Sequence, residues 1–236
     1  ETEFGTHLHS EFIEPQRSLF EYNMGGNLAD KFQCEYNKEI EFLKLKNLTN
    51  IFKEKFNYNP LSFRAGRYAK SSFTNNFLID LGYKVDSSIT PGLKWKNNSA
   101  IVDYSNFNND LKIIKNNNNL LYSLPISIHN KNIYFNRLFY NDKIYSKIIC
   151  KIFKKYLGYD WLRPAYNKQF NLDFFFNKYH QEFYVFIMHS NELGLNTSPY
   201  IKNNIDLNKL LNCYCTHPNF LLYAPAPTNA ILKINL

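Results

Sequence analysis

Between residues 38 and 56 the chain reads KEIEFLKLKNLTNIFKEKF, where Ile40, Leu43, Leu48, Ile51, Phe52 and Phe56 fall near one helical face with charged residues between them. The pattern predicts an amphipathic helix that buries that face. Pro60 forbids its continuation. A short apolar piece, Leu61 to Phe63, leads into RAGRYA, and a second helix is predicted over 72–81, stopping at Gly82, a residue suited to a helix C-terminus. Tyr83 to Val85 reads as a short strand that runs into the turn-rich DSSITPG. LLYSLPISI (120–128) and EFYVFIMHS (182–190) are rich in β-branched and aromatic residues and read as strands. Residues 143–157, KIYSKIICKIFKKYL, predict a basic amphipathic helix, and 206–215 another. Strands alternating with helices predict an α/β fold with parallel strands. No internal repeat and no separating linker is visible, so one domain over 1–236 is expected.

Composition narrows the class. The 236 residues are 44% hydrophobic and 17% aromatic, which fits a globular protein with a bulky core and not a disordered chain. A net charge of +8 invites a nucleic-acid partner. The lysines, however, are scattered among asparagines, including the run Asn116 to Asn119, and no stretch concentrates five or more basic residues, so no nucleic-acid partner is expected. The four cysteines, Cys34, Cys150, Cys213 and Cys215, lack the spacing of a zinc knuckle and are expected to be reduced core residues. No run approaches about 18 apolar residues, so no transmembrane helix is expected. No basic-then-apolar leader stands at the start, and a cytoplasmic location is favoured.

Candidate chemistry gathers at strand ends. His7 and His9, Arg64, Asp86 and His189 each lie just after a short apolar segment, where parallel α/β folds place reactive groups. Two histidines at i and i+2 of an extended chain point the same way, so both imidazoles could reach one ion. A hydrolytic zinc site needs a further ligand, commonly a carboxylate; Glu3 and Glu11 are close, but their spacing compels neither. The competing reading is a partly exposed strand end. Arg64 can orient a carboxylate, whereas Arg67 reads more readily as a surface arginine paired with solvent or a nearby acid. Asp86 could simply cap the turn it heads. His189, delivered by FYVFIM into a polar loop, suits general acid-base work or a hydrogen-bonded rim position. His129 follows LPISI in a similar placement, while His180 and His217 sit in polar stretches and are expected to face solvent.

Taken together, EFGTHLHSEF, SFRAGRYA with LGYKVDSSITPG, and FIMHSNEL occur in the order and approximate spacing of the polysaccharide deacetylases, the NodB-like carbohydrate esterases. The chain resembles in particular their subgroup of lipopolysaccharide-biosynthesis deacetylases. The likeness covers about residues 1–92 and 182–200; the stretch 93–181 contributes little. It implies a distorted (β/α) barrel that removes N-acetyl groups from a saccharide, possibly a lipid-linked one, with a divalent metal, zinc favoured. A metal so placed polarises the amide carbonyl and lowers the pKa of bound water. The resemblance assigns His7 and His9 to the metal, Arg64 to orienting the catalytic base, and His189 to the general acid. It assigns Asp86 to supporting the site wall or the acid histidine.

The chain departs from that pattern twice. The usual histidine motif is His-Ser/Thr-x-x-His, longer than the His-x-His here. The Thr-Phe-Asp-Asp strand end that supplies base and metal aspartate should precede GTHLH and does not; Asp30 and Asp103 stand in the wrong places to replace it. The expectation is an N-terminally truncated barrel lacking its first strand. Such a chain should deacetylate very slowly or not at all. The alternative is a catalytically inactive barrel that binds glycan through its tyrosines and phenylalanines.

Overall fold

The first predicted helix forms with its predicted bounds. In the computed structural model, which describes residues 4–15, 32–97, 100–132, 158–167, 172–188, 190–196 and 199–216, α1 spans Lys38–Phe56. The Asn37 side chain accepts the Ile40 N–H at 2.9 Å, Glu39 and Glu41 lie in the first turn and Lys53 and Lys55 in the last, so both ends complement the helix dipole. Asn57 ends the helix in the left-handed region at φ 59°, its N–H returning to the Lys53 carbonyl at 2.8 Å.

The buried face of α1 only partly matches the one its apolar periodicity predicts: Phe52 is buried and Leu48 packs against the core, but the rest of the face is turned. Leu43, Ile51 and Phe56 are 42%, 45% and 46% exposed, whereas Glu41, Lys44, Leu45, Thr49 and Phe52 are buried. Three of those five are polar, and each is satisfied. Glu41 accepts from Gln33, Ser71 and Thr74. Lys44 donates to the carbonyls of Ser10 and Ile13 at 2.8 and 2.6 Å. Thr49 donates to Leu45 and meets the Tyr83 hydroxyl at 2.9 Å. A polar residue with partners in the fold can occupy a core position, and no local pattern announces those partners.

The chain divides into two compact units, one ending at Pro125 and the next beginning at Ile126. In the first, β1 (Thr6–Leu8), β2 (Ser62–Ala65), β3 (Val85–Asp86), β6 (Lys112–Asn116) and β7 (Asn119–Ser123) form one sheet in the order β1-β2-β3-β7-β6. The first four strands are parallel; β6 pairs antiparallel with β7. The α/β class and the mostly parallel sheet are therefore as the alternation implies. Helix α2, Thr74–Asp80, is shorter than its predicted span but stops where expected: Gly82 takes φ 88°, and the N–H groups of Gly82 and Tyr83 return to Ile79 and Leu78 at 3.1 and 2.9 Å. Leu8, Leu45, Phe63, Ala65, Phe77, Leu78, Tyr83 and Leu121 make the core between helices and sheet. A separate antiparallel hairpin, β4 (Lys94–Asn97) with β5 (Ala100–Asp103), packs through Trp95, Val102 and Tyr104 on Ile89 and Ala69; it lies where the sequence is least informative.

The predicted strand 120–128 is two strands. Its first half is β7, and its second opens β8 (Ile128–Asn130), which pairs antiparallel with β9 (Tyr159–Trp161) in the second unit. Pro125 stands between them, without the N–H that a continuous ladder would need. The predicted strand 182–190 joins no ladder over residues 183–188. Val185 donates instead to the Ser127 hydroxyl at 2.8 Å and accepts from the Ser127 N–H at 3.1 Å, while Ile187 donates to Leu162 at 3.1 Å. A side-chain hydroxyl there takes the N–H that a ladder would give to a carbonyl. The helix predicted over 206–215 forms as Asn204–Thr216. The one predicted over 143–157 lies outside the described residues.

Candidate functional site

Parallel β1 and β2 carry the site. Their register sets His7 opposite Arg64, so the histidine motif and the RAGRY motif meet at the same edge of the sheet. Two glycines permit that approach. A Cβ on Gly66 would stand 2.4 Å from the Leu8 carbonyl oxygen and 3.2 Å from the Cα of His9; one on Gly5 would stand 2.1 Å from the Ser62 hydroxyl. Neither backbone can yield to that contact without moving the histidines.

The imidazoles of His7 and His9 lie edge to face with centroids 4.8 Å apart, as an i, i+2 pair in extended chain requires. The chemistry of their neighbours fixes the tautomers. His7 Nδ1 is 2.9 Å from the Arg64 carbonyl oxygen, and His9 Nδ1 is 3.3 Å from Glu11 Oε1. A carbonyl and a carboxylate only accept, so each neutral ring carries its proton on Nδ1 and its lone pair on Nε2. This is how proteins commonly orient histidines that bind metals.

Glu11 is the residue that sequence reasoning set aside. It sits in a 3-10 turn, Ser10–Phe12, and is 3% exposed. Arg67 Nη2 donates to the same Oε1 at 3.0 Å, while Oε2 is buried with no hydrogen-bond partner among the described residues. Burial pushes the carboxyl pKa up, but the hydrogen bond from His9, the Glu11 backbone N–H and Arg67 outweigh it and bring it down to about 2. Glu11 is thus an anion at neutral pH. Beneath the turn, buried Lys44 ties down the carbonyls of Ser10 and Ile13 and lies 4.5 Å over the Tyr36 ring.

The arginines divide as their settings dictate. Of the two partners left open for Arg67, solvent or an acid, the fold supplies the acid Glu11. Arg64 is half-buried; its Nε donates to the Ser87 hydroxyl at 3.1 Å, and among the described residues no carboxylate pairs with it. Burial lowers its pKa, opposed by Tyr68 and Asp86, without discharging a guanidinium. The RAGRY backbone is strained: Arg67 and Tyr68 both have positive φ, at 50° and 59°. The Tyr104 hydroxyl holds the Tyr68 carbonyl at 2.7 Å. Left-handed non-glycine residues of this kind persist only when their surroundings hold them.

Asp86 caps its turn, accepting the Ser88 N–H at 3.1 Å and the Ser88 hydroxyl. It is fully buried and ion-paired with Lys70, which also donates to Asn75 at 2.8 Å. The Ser88 backbone and side chain and the Lys70 ammonium therefore engage this carboxylate inside the fold.

In the second unit, Asp160 accepts from Lys178 and Tyr179 at 2.8 and 2.6 Å. His129 stacks on Tyr179 with centroids 4.0 Å apart and meets Gln181 Oε1 at 2.8 Å. Burial lowers the His129 pKa from its ordinary value, against the pull of Gln181 and Asp160. His180 is exposed, as expected. His189 lies outside the described residues, as do His217 and Cys150. Cys34 is half-buried and Cys213 buried, and neither is in a disulfide.

Imidazole nitrogens suit zinc and similar divalent ions. His7 and His9 fit as two of its ligands. Among the described residues no group of three or more His, Cys, Asp or Glu is placed to hold an ion. No protein-family model, no curated protein and no solved structure matches the chain. Among the described residues no helix is long and apolar enough to cross a membrane.

Proposed function

We propose that the chain carries the histidine half of a polysaccharide-deacetylase-like site for N-acetyl groups of a saccharide and a divalent metal, on a fold of the distorted (β/α) barrel kind, and that without the aspartate motif it hydrolyses those groups very slowly or not at all. The supporting observation is the oriented pair His7 and His9, each with its Nδ1 against an acceptor at the end of a parallel strand. Four parallel strands ending at one edge are compatible with a segment of such a barrel.

His7 and His9 would hold the ion through Nε2. The chemistry an ion held there would supply is polarisation of the amide carbonyl and acidification of a water. Arg64, half-buried and engaged only through Nε to Ser87 in the described set, is available to orient a carboxylate through its outer nitrogens. His189 is assigned to protonating the leaving amine by the resemblance alone. The product would be an amino sugar and acetate, with zinc as the favoured ion.

The reading is tested by titrating zinc into the chain, its His7→Ala and His9→Ala variants, and a variant lacking both. Binding weakened in each single variant and abolished in the double supports it. Acetate release from an N-acetylglucosamine oligomer is measured in parallel with zinc and with chelator. Zinc binding that ignores both substitutions would sink the assignment, and saccharide binding without metal would favour a glycan-binding module instead.

A further inference from the structure

Glu11 is expensive where it stands. A buried carboxylate with one oxygen unmet costs stability, and an apolar side chain of similar size would avoid that cost. Its remaining oxygen contacts two groups, the His9 Nδ1 and Arg67 Nη2. Oε2 is out of contact with solvent, so Glu11 is not placed to bind a substrate from solution. Nor does it join His7 and His9 as a ligand set. What it does reach is the back of the His9 ring. Arg67 in turn is aimed by a strained left-handed pair of residues, pinned by Tyr104 and resting over the Phe32 ring at 6.0 Å. An unsatisfied buried charge, an arginine held by strain to meet it, and a histidine at their end form one contiguous chain of contacts.

We propose that Glu11, steadied by Arg67, is a positioning residue that locks His9 in the Nδ1–H tautomer and so presents Nε2 to the ion. The metal half of this inference rests on the function proposed above; the tautomer half does not. His7 has a backbone carbonyl for the same purpose, which no side-chain substitution removes, so the two histidines should differ in how easily they are unlocked.

The test uses the full chain, labelled with 15N, and long-range 1H–15N spectra of the imidazoles at pH 8, with His7→Asn and His9→Asn variants to assign the signals. In the native chain both His7 and His9 should show the Nδ1–H form, the reverse of the preference of a free imidazole in water. In Glu11→Met, which leaves no oxygen acceptor behind the ring, His9 should lose that bias while His7 keeps it, zinc or cobalt affinity should fall about 10- to 100-fold, and the thermal midpoint should stay level or rise. Arg67→Met should move His9 the same way by less. A merely structural Glu11 would lower the midpoint and leave the His9 tautomer alone, and that result overturns the proposal. So does a native His9 found in the Nε2–H form. If the native chain binds neither ion, the metal reading fails, while the spectra still decide the positioning role.

Discussion

Two buried carboxylates in the first unit are treated in opposite ways. Asp86, at the end of β3, is engaged by Ser88 through two bonds and by Lys70, itself steadied by Asn75. Glu11, in the turn after β1, shares one oxygen between His9 and Arg67 and leaves the other unmet. A carboxylate surrounded by partners holds the fold together. One left half-satisfied behind a histidine marks a place where stability has been spent on orientation. The second unit holds another half-met carboxylate: Glu192 is fully buried, clasped by Arg163 through Oε1 with Nε at 2.8 Å, and its Oε2 has no partner among the described residues. It stands three residues past His189 in the chain.

The sharpest way to break the contrast is to remove the cations. Lys70→Met leaves Asp86 charged and buried, and should cost about 3–5 kcal/mol in urea unfolding; Lys70→Met with Asp86→Asn should recover most of it. Arg163→Met should cost nearly as much, since Glu192 is equally buried. A smaller loss is expected from Gly66→Ala, about 1–3 kcal/mol, with weakened zinc binding, because the new methyl must push on Leu8 and His9. Arg67 is 31% exposed, but Arg67→Met also strips the buried Glu11 carboxylate of its cation, so it should cost about 1–3 kcal/mol; a loss as large as that of Lys70→Met would erase the distinction between the two carboxylates.

The mildest effect belongs to His129. Its pKa is lowered by burial, so the unfolded chain takes up the proton first as pH falls. The stability gained by keeping the ring neutral is complete above its ordinary value of about 6.5. It drains away below that value. Urea midpoints at pH 8 and pH 5.5 should separate more in the native chain than in His129→Gln, and equal separations would show that the ring does not contribute.

Much of this was legible in advance. The span of α1 follows from its apolar period and Pro60, the end of α2 from Gly82, and the joining of His7 to His9 from the period of an extended strand. These depend on residues close together in the chain. The polar part of the buried face of α1 was not legible, because Glu41, Lys44 and Thr49 find their partners in Ser71, Ser10 and Tyr83, which lie 30 or more positions away. Nor was the fate of EFYVFIM, whose composition favours a strand but whose N–H at Val185 goes to the Ser127 side chain.

Local pattern sufficed for the span of α1, the end of α2, a largely parallel sheet and the pairing of two imidazoles. Only the tertiary structure decided that Glu11 and Arg67 belong with them. The pairing of β1 with β2 brings residues 56 positions apart to 3.0 Å, and a charge this far from its partner in the chain has no local signature. Packing also separated Asp86 from Glu11: whether a buried carboxylate is fully met depends on which distant groups the sheet delivers to it, and the spacing of residues along the chain does not record that.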